Sequence, residues 1–454
     1  MKIGIKIAVL MFLVLITVTI LAPSASAESL EDYGIDVIDT VWILIASILV
    51  LMMAPALALF YGGMLRKQSM TSTLAQCTVA MAIVFLFWAM FGFSFAFDGS
   101  WHDGDFLGII GGTDYLLMDG VAPNIPWGTL PSVLFLVFQG MFALVTAIIV
   151  LGAVAERVKF IPLMAYLALW CVFIYAPMTH MVWGGGALSS GIEDIFGWPV
   201  LDYAGGTVVH ICSGVSGLAI AVVLGRRSKR IIKDRPHNIP FMYIGAVLLL
   251  LGWIGFNGGS GLAFNLTLMN VILVTLISSF VGMIAWAAVQ ILHAGRVSVS
   301  GLCAGMLAGL VGITPACGFV SPAGALIIGT VTSLACYFAI LLMRKKSGID
   351  DALDVFGLHG IGGITGALLT GLLAVNGWGG AGDGTVGAIY GNWALLGGQL
   401  VAVGGTFLYC FSVSFILMSV ISKVFRFSGK SAILSEEEQQ VGADIVEHGE
   451  SAYN

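Results

Sequence analysis

Two histidines, His210 and His359, are the residues whose type and surroundings best suit them to chemistry. Each opens the same short pattern: His210 is followed by Gly214, Val215, Ser216 and Gly217, and His359 by Gly363, Ile364, Thr365 and Gly366. Both lie in long apolar segments whose middles contain no Lys, Arg, Asp or Glu. An ionisable side chain deep in a membrane helix is costly and is a functional candidate by default. A pair of imidazoles at that depth can accept and pass a proton and can hydrogen-bond a small polar solute. Haem ligation and plain interhelical hydrogen bonding are the competing roles. Haem usually needs several ligands around a roomy bundle, and this sequence offers two deep histidines.

A second group gathers at the expected outer ends of the apolar segments. His180 to Gly186, with Trp183 at its centre, closes the fourth segment, and Asp202 opens the fifth. Trp253, Phe256 and Ser260 end the sixth, and Phe142 lies inside the third. Aromatic faces attract a cation that has shed water, by about 2 kcal/mol or more when desolvated. A hydroxyl can accept one of that cation's hydrogen bonds. The plainer readings are an interfacial aromatic belt for the tryptophans and an N-cap on the fifth segment for Asp202.

The elements that must position these residues follow from composition. The chain is 59% hydrophobic and 10% charged, with a mean hydropathy of +1.01, whereas soluble domains carry about 25% charged residues. Its long apolar runs can each cross a hydrocarbon core of about 30 Å as a helix. We expect spans at 40–62, 75–97, 132–155, 161–184, 201–224, 239–258, 265–288, 296–315, 323–343, 355–374 and 391–421. Residues 1–27 read instead as a cleaved signal peptide: Lys2 and Lys6 precede a short apolar run that ends at Ala25, Ser26 and Ala27. That leaves a membrane domain over 28–421 and a cytoplasmic tail over 422–454.

Charge supports this division. After the leader, the basic residues fall in alternate loops or the tail, from Arg66 and Lys67 to Lys423, Arg426 and Lys430. The intervening loops hold acids instead, among them Asp98, Asp103, Asp105, Asp114, Glu193, Asp194 and Asp383. The positive-inside rule then puts the N-terminus outside and the C-terminus in the cytoplasm of a multi-pass cell-membrane protein. The net charge of −6 points to no nucleic-acid partner, because the charges lie in loops and tail. Seven scattered cysteines show neither a disulfide framework nor metal-ligand spacing, and no cofactor is expected.

The histidine pattern recurs five helices apart, and Phe60, Gly62 and Gly63 are matched by Phe256, Gly258 and Gly259 at the same spacing. An odd separation turns the second copy upside down. The expected fold is an all-α integral membrane protein of about eleven helices, an inverted five-plus-five repeat (40–224 and 239–374) followed by a long eleventh helix. Such repeats place their site near the membrane midplane. A rise of about 1.5 Å per residue puts the two histidines within about 10 Å of each other in depth. The 60 glycines suit close helix crossings and a narrow conduit.

At these residues the chain resembles the ammonium transporter family, in its prokaryotic branch. The motifs are Asp202 to His210, His180 to Gly186, Gly252 to Ser260 and Asp354 to Gly360, in order along the chain. The resemblance implies a homotrimer with one pore per subunit, conducting ammonium or ammonia, and methylammonium. It puts Phe142, Trp183 and Ser260 at an outer recruiting site, Phe142 and Phe256 in a stacked gate, and His210 and His359 in a twin-histidine pair. Asp202 supports the outer site. A pore without charged lining should not pass a bare cation. The family mechanism instead deprotonates ammonium outside and lets ammonia cross while the histidines handle the proton.

The tail, with Gly442, Asp444, Glu447, His448, Gly449 and Glu450, resembles the family's regulatory segment, through which PII-type signal proteins block the pore. It departs from that pattern in a longer linker over Phe427 to Leu434 and in Ala443, where leucine is common. A Rh-like neutral-gas channel shares the fold and the histidines, but its outer aromatic site differs. A sensor signalling through its tail is the other alternative. A membrane enzyme would need metal, haem or nucleophile motifs that are not seen.

Overall fold

The computed structural model describes residues 29–231, 236–375 and 385–453. The expected leader, Lys233, Arg235 and Asp383 lie outside the described residues. Among those described, ten helices are long and apolar enough to span a membrane. They are α1 (Val37–Met64), α2 (Lys67–Phe97), α3 (Ser132–Ala153), α4 (Phe160–Val182), α5 (Gly206–Leu224), α6 (Ile239–Gly259), α7 (Leu266–Ala294), and then α9 (Pro322–Ser347), α10 (Phe356–Leu373) and α11 (Trp393–Phe427). Between α7 and α9 lies the shorter apolar helix α8 (Val299–Ile313). The result is the all-α membrane architecture of about eleven helices that composition implies.

α8 falls short of its expected span at both ends. Its 15 residues rise about 22 Å at 1.5 Å each, short of a hydrocarbon core of about 30 Å. Ser298 caps it by accepting from the Gly301 N–H, and beyond Thr314 the proline at 315 has no N–H to continue the ladder. The chain instead turns through buried residues 314–318. α11 runs six residues past its expected end at 421. Most other helices start at a side-chain cap of their own, as at Asp36, Asn238, Asn265, Ser321 and Asn392. The α-helical part of α2, beginning at Met70, and α4 have no such cap within their own segment.

Helices meet through glycine because apolar surfaces gain nothing by leaving lipid, so association depends on close backbone packing. A Cβ at Gly63 of α1 would lie 2.6 Å from the Asn238 carbonyl oxygen at the start of α6, and one at Gly282 of α7 would lie 2.7 Å from the Gly305 carbonyl oxygen of α8. The crossing of α5 and α10 is reciprocal. Gly214, four residues after His210, lies against the backbone of Gly360, one residue after His359. Gly363, four residues after His359, lies against the Gly206 carbonyl oxygen and the side chains of His210 and Ile211. Each histidine's glycine therefore packs on the other histidine's turn, as a twofold relation between inverted halves requires.

At the end that carries the basic loops, buried ion pairs tie the connections together. Glu156 binds Arg66 at 3.0 Å and Arg227 at 3.0 Å, while Asp350 binds Arg227 at 2.9 Å and Arg157 at 3.2 Å. Burial pushes Asp350 upward, but Arg227 and Arg157 outweigh it and hold its carboxyl below the usual carboxylate range. At the opposite end, the loop between α2 and α3 folds down through residues 98–131 and closes with a short antiparallel pairing of Pro126–Trp127 with Leu130–Pro131.

Candidate functional site

The two deep histidines touch. Nδ1 of His359 lies 3.3 Å from Nδ1 of His210, with both rings buried. Each sits in a π-helical turn, Gly206–Ile211 opening α5 and Phe356–Gly360 opening α10. Such turns are rare and concentrate at functional sites. Here they occupy corresponding places in the two halves.

Hydrogen bonding fixes the polarity of the pair. The Thr314 hydroxyl donates to the Leu310 carbonyl oxygen at 2.8 Å and accepts the Trp253 indole N–H at 3.0 Å. His210 Nε2 lies 3.2 Å from the same hydroxyl oxygen. That oxygen's one proton is already committed, so every group finds a complement when His210 donates from Nε2. His210 Nδ1 is then the acceptor, His359 donates from Nδ1, and His359 Nε2 keeps a free lone pair.

Aromatic rings form a column above the pair. His210 stacks on Trp253 at 5.6 Å and on Phe256 at 6.1 Å. Phe256 lies 4.2 Å from Phe142, and Trp183 meets Phe142 edge-on at 5.9 Å. Phe142 and Phe256 are buried, whereas Trp183 is half-buried. Below the column is a narrow cavity lined by His210, His359, Trp253 and Phe256 with apolar neighbours such as Val145, Leu307 and Leu358. Its free volume of about 20 Å³ admits about one water-sized molecule.

Asp202 does what its place before α5 suggests. Its carboxylate accepts the N–H groups of Gly205, Gly206 and Thr207 at 2.7–2.8 Å, and also the Thr207 hydroxyl. Its backbone carbonyl accepts the Trp183 indole N–H at 2.9 Å. Ser260, at the end of α6, donates its hydroxyl to the Phe256 carbonyl oxygen at 2.8 Å. This leaves its oxygen lone pairs available to a donor.

Three placements differ from the sequence reading. Trp253 is not at an outer end but buried beside His210, because it stands six residues, nearly two turns, before the end of α6 at Gly259. His180 stays out of the column, its buried ring turned toward Ala96 and Asp105. Thr314 was not anticipated as a partner of His210. Its only sequence signal is a hydroxyl before Pro315 at the end of an apolar run.

The tail folds back on the face with the basic loops. Asp444 accepts the Ser72 N–H at 2.7 Å and Glu447 accepts the Phe160 N–H at 2.7 Å. Neither of these helix starts has a local side-chain cap. His448 packs edge-on against Phe160 at 5.3 Å, and Glu438 pairs with Lys159 at 3.1 Å. Gly442 and Gly449 take positive φ values of 108° and 64°, which suit glycine. Gly442 also packs on Gln68, and Glu450 donates its backbone N–H to the Asp444 carbonyl oxygen at 3.4 Å.

The family model for the Ammonium Transporter Family matches residues 41–453. An ammonium transporter of Bacillus subtilis is 38% identical over 417 residues, covering 91% of this chain and 98% of its own. The crystal structure of Saccharomyces cerevisiae Mep2 superposes with a TM-score of 0.79 at 34% identity, covering 89% of each chain. A solved structure described as a sensor Amt protein superposes with a TM-score of 0.78 at 27% identity, covering 90% of this chain and 98% of its own.

Proposed function

Because this chain belongs to the ammonium transporter family, a family of transporters and not of enzymes, we propose that it recruits ammonium at Trp183, Phe142 and Ser260 and conducts ammonia past His210 and His359. The observation that carries the reading is the Nδ1–Nδ1 contact of the histidines at 3.3 Å in a cavity that admits about one small molecule. The Trp183 face and the free lone pairs of Ser260 suit a cation with N–H donors. The apolar lining below does not suit one, since an unpaired ion loses its hydration there. Ammonium therefore gives up its proton to water at the outer site. Ammonia passes the Phe142 and Phe256 gate, and the hydrogen-bonded histidine pair handles the proton, with the free His359 Nε2 lone pair as its point of uptake. Asp202 acts as support, holding the Trp183 indole through its backbone carbonyl while capping α5.

The working unit is a homotrimer in the cell membrane, with its N-terminus outside after removal of residues 1–27. The docked tail lies in the cytoplasm, where it meets a PII-type protein. Methylammonium shares the route. The deciding measurement is ammonium uptake and current in liposomes holding the purified protein, with and without a proton gradient. Ammonium-evoked flux that saturates is expected, and no flux above empty liposomes would overturn the reading.

A further inference from the structure

His180 carries a buried hydrogen-bond arrangement that the conduction pathway does not use. Its Nδ1 lies 3.1 Å from the Ala96 carbonyl oxygen and its Nε2 lies 3.2 Å from Asp105 Oδ2. The two side chains are 0% and 4% exposed. A carbonyl oxygen only accepts, so Nδ1 bears a hydrogen. A carboxylate also only accepts, and a neutral ring protonated at Nδ1 offers it a lone pair. The second contact therefore requires one more proton, on Nε2 of an imidazolium or on the Asp105 carboxyl. Without it, two lone pairs face each other in a buried site, and an unmet buried polar group is destabilising.

The same pair joins the outer loop to the segment that bears Trp183. Trp183 donates its backbone N–H to the Thr179 carbonyl oxygen at 2.7 Å, and the His180 carbonyl oxygen accepts the N–H groups of Gly184 and Gly186. The loop clamps the following residues as well: Trp101 donates to the Gly185 carbonyl oxygen at 3.0 Å and Ala187 donates to that of Gly108 at 2.7 Å. We propose that His180 and Asp105 form a proton-held latch that positions Trp183 at the outer mouth. This rests on the reading of Trp183 as part of the recruiting site. Neither residue touches substrate; both are positioning residues.

The other titratable groups nearby are engaged elsewhere. On the loop, Asp98 accepts the Asp114 N–H, His102 pairs with Asp194, and Asp103 is exposed. On the short helix Ser190–Phe196, Glu193 is exposed and Asp194 also accepts the Trp101 indole N–H. Asp202 is committed to the start of α5, and on α5 His210 faces Thr314 and His359. The Phe93–Phe97 stretch of α2, against which His180 packs, has no titratable side chain. No described neighbour in contact can supply the latch proton in its place.

Asp105→Asn tests this directly, because the carboxamide donates an N–H to Nε2 of the neutral ring and makes the latch independent of pH. The full chain is reconstituted in liposomes, and the half-saturating concentration of methylammonium cation is followed from mildly acidic to alkaline pH. In the native protein that concentration should rise about three- to tenfold at alkaline pH, the size of one hydrogen bond, and its Tm should fall over the same range. Asp105→Asn should be flat in half-saturation and should lose less Tm than the native protein over that range, and Asp105→Ala should resemble the alkaline native protein in half-saturation at every pH. Asp105→Asn tracking the native protein in both measurements would overturn the latch. A Tm difference between native and Asp105→Asn that grows with pH, without a pH-dependent half-saturation, would overturn its positioning of Trp183. If Trp183→Leu leaves half-saturation unchanged, the recruiting-site reading fails and positioning fails with it, while the Tm series still decides whether the proton-held pair exists.

Discussion

Phe142 of α3 and Phe256 of α6 lie ring to ring at 4.2 Å with a tilt of 30°, one from each half of the repeat. Trp183 packs on Phe142 and His210 on Phe256, so a solute on the proposed route between them would have to part the rings. Truncating a buried Phe to Ala costs about 3–5 kcal/mol. Phe256→Ala should therefore lower Tm and replace selective ammonium flux with impaired flux or leak. Parallel ammonium and potassium fluxes in liposomes check this, and native rate and selectivity would reduce the ring to packing.

Trp183→Leu combined with Ser260→Ala removes both the aromatic face and the hydroxyl acceptor of the outer site. A desolvated cation–π contact of about 2 kcal/mol corresponds to roughly thirtyfold in affinity. The double variant should need at least about tenfold more ammonium for half-saturation, while its Tm stays close to native. An unchanged concentration dependence would remove these residues from recruitment.

The tail has a structural duty as well as the proposed regulatory one. Asp444 and Glu447 cap the starts of the α-helical part of α2 and of α4, and loss of a cap costs about 0.5–2 kcal/mol. Asp444→Ala with Glu447→Ala should lower Tm by several degrees without abolishing transport. Deleting the residues after Ser428 should do the same and also end any response to a PII protein. A pull-down in which full-length and truncated chains retain PII equally would refute the regulatory part.

Asp351 supplies a pH signature at the opposite end of the pathway from Trp183. Its carboxylate accepts the N–H groups of Val355 and Phe356 at 2.9 and 2.7 Å. Burial first, and then the neighbouring Asp354, push it up to about 7. The unfolded value is about 3.9, so the folded protein holds this proton more tightly. Its contribution to stability is full below about pH 4 and declines as pH rises to about 7. Asp351→Asn removes that decline but gives up one backbone hydrogen bond, worth about 1 kcal/mol. The native advantage in Tm should shrink steadily between those pH values. Parallel Tm curves would show that Asp351 is not the group responsible.

What could be read in advance divides by physical origin. Long apolar runs and the sorting of Lys and Arg depend on local composition, so the helices and the repeat were legible in the chain. His210 and His359 were legible because each stands alone among apolar residues. Thr314 was not, since its value comes from a turn after α8 that returns it beside His210 and Trp253, 104 and 61 residues away. Asp105 was hidden for the same reason, as one of several acids in an outer loop, 75 residues from His180. The caps at Asp444 and Glu447 could not be inferred either, because each serves a helix start more than 280 residues earlier.

The histidine pair itself is tested by taking it apart. His210 is held on three sides, by Thr314, by the stacked Trp253 and by His359. His359 has His210 as its ring partner and otherwise faces the cavity. Replacing either with Ala leaves the other without its mate, at about 1–3 kcal/mol for an unmet buried group, and cuts the proposed proton route. Ammonium-driven current should therefore fall strongly in each single variant. The double variant should be little worse than either, as for residues that act as one unit. Thr314→Val offers a finer version: it removes the acceptor for His210 Nε2–H while nearly preserving side-chain volume. The ring is then free to adopt the other tautomer, and current should fall less than in either histidine variant. Normal current in both single histidine variants, with protein shown to be folded and trimeric, would make the pair structural and send the proton by another route.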